Sequence, residues 1–148
     1  MEKSAKLGKL TLLNIILFGF IGQVAWAVEN NFFNTFLFSF GGTTKDISTM
    51  VAASAVVAVV TTFVMGTLSD KLGRRKVFIC AGYVAWGITV MAFAFISREN
   101  LGKLIGADPS SAAALSATVT TVIVMDCIMT FMGSTSNDSA FNAWITDV

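Results

Sequence analysis

Apolar residues gather into four long stretches that are separated by short polar segments. The stretches cover approximately residues 10–40, 47–65, 77–96 and 112–132 or longer. A helix needs roughly 20 predominantly apolar residues to cross the hydrocarbon core of a bilayer, so each stretch is long enough. No soluble domain interrupts them. The pattern therefore predicts an all-α, polytopic bundle of four membrane-spanning helices within residues 1–148.

Local signals mark where two of these helices begin. Thr43, followed three residues later by Asp46, predicts a cap for the second helix. Asp108 and Pro109 predict an N-cap and a proline at the first helical position of the fourth helix. The segment 97–111 before them is interpreted as a connection without a helix of its own.

The first stretch allows two interpretations. Lysines precede it and Ala25-Trp26-Ala27 lies within it, an arrangement that imitates a cleaved secretory signal. However, the apolar run resumes at Phe32, and three further spans follow. A single tilted helix of about 45 Å, at 1.5 Å per residue, is the simpler interpretation.

The composition agrees with a membrane protein and excludes several functions. Hydrophobic residues make up 55% of the chain and charged residues 13%, against about 25% charged residues in soluble proteins. The net charge of +1 gives no basic field for nucleic acid. Histidine is absent, and the two cysteines, Cys80 and Cys127, have no metal-binding spacing. We therefore expect no enzyme activity, no metal site and no cofactor.

A charged motif lies between the second and third stretches. It reads Gly66-Thr-Leu-Ser-Asp70-Lys71-Leu-Gly73-Arg74-Arg75-Lys76. This pattern of glycines, one aspartate and basic residues resembles the signature loop between the second and third helices of the major facilitator superfamily of secondary transporters. Every defined position of that signature is matched. The resemblance implies that the chain is the amino-terminal part of a major facilitator fold.

The residue types of the motif suggest a conformational role. Gly66 allows another helix to approach closely, and Gly73 permits a tight turn. Asp70 lies at a helix end and can pair with Arg74 or Arg75. Arg74, Arg75 and Lys76 hold the turn at an anionic membrane surface. By resemblance, this cluster acts as a latch that biases the carrier towards its outward-open state, and Asp70 and Arg74 are assigned to it.

Basic residues also predict the orientation of the chain. Cytoplasmic segments of membrane proteins carry an excess of Lys and Arg. With a cytoplasmic N-terminus, Lys45, Arg98 and Lys103 face outward. The other seven basic residues then face the cytoplasm, namely Lys3, Lys6, Lys9, Lys71, Arg74, Arg75 and Lys76. The expected location is the plasma membrane.

Polar residues within the first and fourth stretches are the candidates for a binding site, because ionisable residues in a membrane are costly and normally face a cavity. At 100° per residue, Gln23, Asn30 and Asn34 share one face of the first helix. Trp26 lies beside them and Glu29 on the adjoining flank. On the fourth helix one face carries Asp126, Thr130, Gly133 and Asn137.

Two readings of these polar faces stay open at this point. Glu29 and Asp126 have similar predicted depths and can share one cavity for a substrate with a proton or sodium ion. Alternatively, the amides are interhelical hydrogen-bond partners and the carboxylates pair with basic residues on other helices.

Short segments narrow the resemblance further. The segment Gln23 to Ala27 resembles sucrose and proton-coupled sugar carriers, and the segment Asn137 to Asp147 resembles the glycoside-pentoside-hexuronide cation symporters. The resemblance implies a sugar or glycoside as substrate. Because such carriers have two six-helix halves, we expect the chain to be one portion of a longer protein that supplies the remaining helices.

Two other functional classes remain as alternatives. A short dimeric exporter of the small multidrug type uses a glutamate in its first helix, which Glu29 would mimic. A membrane assembly subunit without transport activity would use the polar faces only for packing.

Overall fold

Residues 7–147 of the computed structural model are described, and they form a bundle of α-helices. The helices are α1 (Lys9–Ser39), α2 (Thr44–Leu72), α3 (Arg75–Ala92), α4 (Arg98–Ile105), α5 (Ala112–Gly133) and α6 (Asn142–Asp147). A short 3-10 turn, Phe93–Phe95, continues α3, and a π-helical segment, Ser134–Phe141, joins α5 to α6. Four helical stretches are long and apolar enough to cross a membrane: Lys9–Ser39, Thr44–Leu72, Arg75–Phe95 and Ala112–Asp147. The predicted all-α architecture with four such helices is therefore confirmed.

The charged motif is mostly helical rather than a loop. α2 continues through Gly66 and Asp70 to Leu72, seven residues beyond the predicted end of the apolar stretch at residue 65. Gly73 ends the helix in the left-handed conformation, with φ of 59°, which glycine adopts without steric cost. The predicted cap at the other end is confirmed, because Thr43 and Asp46 form a reciprocal capping box.

The connection before α5 differs from the prediction in two ways. It contains the amphipathic helix α4, which Ser97 caps by accepting a hydrogen bond from the Asn100 amide. In addition, Ser111 rather than Asp108 caps α5. Asp108 accepts hydrogen bonds from the hydroxyl and the backbone amide of Ser110 instead, and these bonds hold its pKa below the usual range.

Three hydroxyl side chains of the π-helical segment donate to the backbone of their own helix. Thr135, Ser136 and Ser139 each donate to the backbone carbonyl four residues earlier, at 2.7, 3.0 and 2.7 Å. Such bonds compete with the backbone amides for the same carbonyls. They coincide here with the change in hydrogen-bond register, and π-helical turns frequently occur at functional sites.

Close contacts of glycine place the fourth span at the centre of the bundle. A Cβ atom on Gly82 of α3 would lie 2.6 Å from Cβ of Ser136 in the π segment, so the two backbones touch. Gly133 lies between Trp86 and Trp26, where a Cβ atom would meet their rings at 3.0 and 3.2 Å. Large apolar side chains of α1 and α2 remain exposed on the outer surface, as expected for helices that face lipid or further helices.

The bundle has two ends that differ in charge. At one end, which we call the motif end, Lys76 lies near Asn14 and Phe18 of α1 and near Trp144 of α6. The α1–α2 turn, α4 and the start of α5 lie at the opposite end, where Leu115 approaches Gly41. Lys45, Arg98 and Lys103 therefore lie away from the motif, as the predicted distribution of basic residues requires. Lys3 and Lys6 lie outside the described residues.

The orientation is testable with cysteines at two exposed hydroxyl positions, Thr146 at the motif end and Ser110 at the opposite end. In a protein without other cysteines, Ser110→Cys should react with a membrane-impermeant maleimide in intact cells, whereas Thr146→Cys should react only after permeabilisation. Labelling of Thr146→Cys in intact cells would reverse the predicted topology.

The close approach of α3 to the π segment predicts a strong effect of one methyl group. Gly82→Ala should lower the free energy of unfolding in detergent by about 1–3 kcal/mol, because the backbone of Ser136 must move. Gly87→Ala, on the same helix, is the matched control, since a Cβ atom there meets nothing within 4 Å. Equal stability of the two variants would show that the helices do not touch at Gly82.

Candidate functional site

A polar cavity of about 190 Å³ lies between α1, α2 and α5. Its lining brings together most of the polar residues that the sequence singled out, together with apolar and small residues of α2. The lining polar and aromatic residues are Trp26, Glu29, Asn30, Phe33, Asn34, Ser54, Asp126 and Thr130. Two faces predicted on separate helices therefore meet at one site.

Two carboxylates are the most unusual feature of the cavity. Glu29 is 6% exposed and Asp126 is 5% exposed, although both lie in apolar helices. One oxygen of Glu29, Oε1, accepts a hydrogen bond of 3.4 Å from the Thr130 hydroxyl. The other, Oε2, has no hydrogen-bond partner among residues 7–147. Because buried polar atoms are normally satisfied, an oxygen without a donor is an unusual feature of this site.

The cavity lies well inside the predicted membrane-spanning region. At 1.5 Å per residue, Ser39 to Glu29 spans about 15 Å, and Thr44 to Ser54 about the same distance. Ala112 to Asp126 spans about 21 Å. The polar groups from three helices consequently reach similar depths, far from either end of the bundle.

The amides of α1 point their nitrogens towards their own helix. Asn30 Nδ2 donates to the Trp26 carbonyl at 2.8 Å, and Asn34 Nδ2 donates to the Asn30 carbonyl at 2.8 Å. Since a carbonyl oxygen only accepts, these bonds fix which end of each amide is the nitrogen. The amides are not interhelical hydrogen-bond partners in this arrangement, and their oxygens remain as acceptors.

Two predicted site residues lie elsewhere. Gln23 is exposed and does not line the cavity. Asn137 is buried in a second polar cluster nearer the motif end, where its oxygen accepts a hydrogen bond of 3.0 Å from the Tyr83 hydroxyl. Its nitrogen donates to Asp138 at 3.1 Å, and Gly22 of α1 packs directly against its oxygen.

An aromatic pair separates this second cluster from the cavity. The rings of Trp26 and Trp86 have centroids 5.1 Å apart and lie against Gly133, which has no side chain to hold them away. Trp26 also lines the cavity. Trp26 therefore forms the wall of the cavity on the side of the motif end, and Trp86 packs against it.

At the motif end, Arg75 connects α2, α3 and α6. Its Nη2 donates to Asp70 Oδ1 at 2.8 Å. Its Nη1 donates to the carbonyl oxygen of Ala143 and lies 2.5 Å from Asp147 Oδ2. Of the two predicted partners of Asp70, the structure therefore pairs Arg75.

The other motif residues have different surroundings. Arg74 and Lys71 are exposed, and neither makes a side-chain hydrogen bond within the described part of the chain. Gly66 faces Ser139 of the π segment, but a Cβ atom there would sit at an ordinary 3.7 Å, so the predicted close approach is looser than at Gly82. Asp70 and Arg75 are thus the two motif residues that tie helices together.

Sequence reasoning missed several participants. Ser54 lines the cavity, and only its depth on α2, equal to that of Glu29, would have indicated it. Tyr83 lies in an apolar span, yet its hydroxyl is within hydrogen-bond distance of both the Phe18 carbonyl oxygen, at 3.2 Å, and Asn137 Oδ1, at 3.0 Å. Within residues 7–147, no group of three or more acidic or cysteine side chains could hold a metal ion.

Comparison with known proteins gives no relative: no family model, no curated protein and no solved structure matches this chain. The cavity and the motif are therefore the features from which function is argued.

The three-way contact of Arg75 predicts a difference between neighbouring arginines. Arg75→Gln should lower the free energy of unfolding on the order of 1 kcal/mol, because partly exposed ion pairs contribute about that much. Arg74→Gln, its matched control, should be nearly neutral. If both variants unfold at the same denaturant concentration as the parent, Arg75 does not connect the helices.

Proposed function

We propose that the chain is the amino-terminal part of a secondary active transporter of the major facilitator type. It moves a small polar solute, a sugar or glycoside, together with a proton or a cation by alternating access. In this proposal the protein resides in the plasma membrane with a cytoplasmic N-terminus. The remaining helices of the full-length carrier complete the cavity on its open side.

The observation that carries the proposal is the cavity with its two buried carboxylates. Carriers bind substrate and coupling ion near the middle of the membrane, between helices. In this proposal Glu29 and Asp126, which line one cavity between three helices, lie at such a depth, and one oxygen of Glu29 has no hydrogen-bond donor among residues 7–147. A carboxylate there can take up a proton, bind a cation or accept hydrogen bonds from sugar hydroxyls.

The contacts at the motif end add support. Alternating access requires contacts that hold one state and break in the other. Asp70, Arg75 and Asp147 form such a group at the end of three helices, and exposed ion pairs of this kind break at low cost. The motif can therefore bias the conformational equilibrium without touching the solute.

Both alternative functions have weaker support. In a small multidrug-type dimer the glutamate would face a second copy, but here Glu29 is buried against Thr130 of its own chain. In an assembly subunit the polar groups would satisfy one another, whereas Glu29 Oε2 has no partner among residues 7–147. An open cavity serves a transported solute better than either alternative.

The carboxylates are the test of this function. In proteoliposomes of the complete protein, uptake of a panel of radiolabelled pentoses, hexoses and disaccharides is measured under an inward proton or sodium gradient. Asp126→Asn should reduce accumulation at least about tenfold, because a carboxylate that carries the coupled ion is lost. Glu29→Gln should impair uptake as well.

The matched control is Gln23→Leu. It removes a polar group that lies on α1, the helix of Glu29, but outside the cavity, and this variant should transport normally. Parental accumulation in both Asp126→Asn and Glu29→Gln would refute the proposal, and the polar faces would then serve packing. Persistence of binding with loss of accumulation alone would assign the altered carboxylate to ion coupling.

A further inference from the structure

We infer that the cavity selects solutes rich in hydrogen-bond donors and without negative charge, so that neutral sugars enter it and uronates and sugar phosphates do not. This specificity rests on the function proposed above, because only a transporter carries a solute through the cavity. The sign of the cavity itself follows from its lining residues alone.

The first step is the charge of the lining. Two carboxylates, Glu29 and Asp126, border the cavity, and no lysine or arginine does so among residues 7–147. Both carboxylates are almost fully buried, where charges are screened far less than in water. When one of them holds the coupled proton, the other still makes the cavity negative. An anionic solute would therefore meet repulsion, and no lysine or arginine among residues 7–147 would compensate for it.

The second step is the direction of the hydrogen bonds. The Thr130 hydroxyl donates to Glu29 Oε1 at 3.4 Å. The Ser54 hydroxyl lies 2.9 Å from the Met50 carbonyl oxygen and 3.3 Å from that of Val51, so its one proton has an acceptor on its own helix. The amides of Asn30 and Asn34 have each given one N–H to a backbone carbonyl. The groups that remain free to bind a solute are therefore mainly hydrogen-bond acceptors.

The unpartnered Oε2 of Glu29 is the strongest of these acceptors. Its lack of a donor costs free energy because the oxygen is buried, and in this proposal the carboxylate turns towards the solute, whose hydroxyl removes that cost. Hydroxyl-rich solutes supply several such donors, while a carboxylate or phosphate group supplies only further acceptors. Hydrogen bonding and charge thus select against the same solutes.

The cavity sign is tested first, by a method that needs no knowledge of the solute. Ala55 lines the cavity, and Ala55→Cys is introduced into the complete protein with its other cysteines replaced. The rates at which its thiol reacts with a cationic reagent, trimethylammonium-ethyl methanethiosulfonate, and with an anionic reagent, sulfonatoethyl methanethiosulfonate, are compared. Ser110→Cys, which is exposed outside the membrane-spanning helices, gives the intrinsic ratio of the two reagents.

The quantity compared is the rate with the cationic reagent divided by the rate with the anionic reagent. We expect this ratio to be about tenfold or more higher at Ala55→Cys than at Ser110→Cys, because a charged cleft concentrates ions of opposite sign. The combined change Glu29→Gln and Asp126→Asn should bring the ratio back to that of Ser110→Cys. Equal ratios at the two positions in the parent would overturn the inference. Val51→Cys, another lining position, repeats the measurement if Ala55→Cys does not fold.

The solute preference is tested second, with methyl glucoside, glucosamine, glucuronate and glucose 6-phosphate as competitors of sugar uptake. The first two should compete, and the two anions should not. Competition by glucuronate as strong as that by methyl glucoside would overturn the inference and leave the transport function standing. Absence of uptake for every sugar, with a cation-selective cavity, would instead refute the proposed substrate and retain the cavity sign.

Discussion

The contact between α3 and the fourth span is the constraint on which the rest of the bundle depends. Gly82 and Ser136 bring two backbones together, and this contact holds the π segment in the middle of the molecule. With the π segment fixed, α5 directs Asp126 and Thr130 to one side, and the π segment directs Asn137 to another. The position of the cavity is thus decided by a residue that contributes no side chain to it.

The polar side chains of the cavity are held mainly by hydrogen bonds within their own helices rather than by strong pairs between helices. Its hydrogen bonds are largely local, from side chains to backbone carbonyls of the same helix, and the one that crosses between helices is a long bond from Thr130 to Glu29. Local bonds keep each side chain in place without tying the helices to one another. A site built in this way can change its width while each lining residue keeps its geometry.

Much of the fold could be predicted from the sequence because membrane-spanning helices have a strong signal. Length and hydropathy predict the number of these helices. The helical spacing of polar positions predicts polar faces on the first and fourth helices, and Glu29, Asn30 and Asn34 line the same cavity as Asp126 and Thr130. Asn137 was assigned to the same face because the calculation used 100° per residue. The π segment changes that angle, so Asn137 meets Tyr83 instead.

Other features depend on packing, which periodicity does not report. Ser54 looks like any small residue of an apolar helix until α2 is placed beside α1. The choice of Arg75 rather than Arg74 as the partner of Asp70 depends on where Gly73 turns the chain. The short helix α4 is not predicted from the sequence, because its amphipathic pattern occupies only eight residues.

The π segment also sets the rotation of everything that follows it. A π-helix turns less per residue than an α-helix, so the length of this segment decides which side of the bundle α6 presents to α3. Return of Ser134–Phe141 to α-helical register would carry Asp147 around the helix axis and away from Arg75. The π segment, which lies between α5 and α6, thus keeps the last helix in register with the motif.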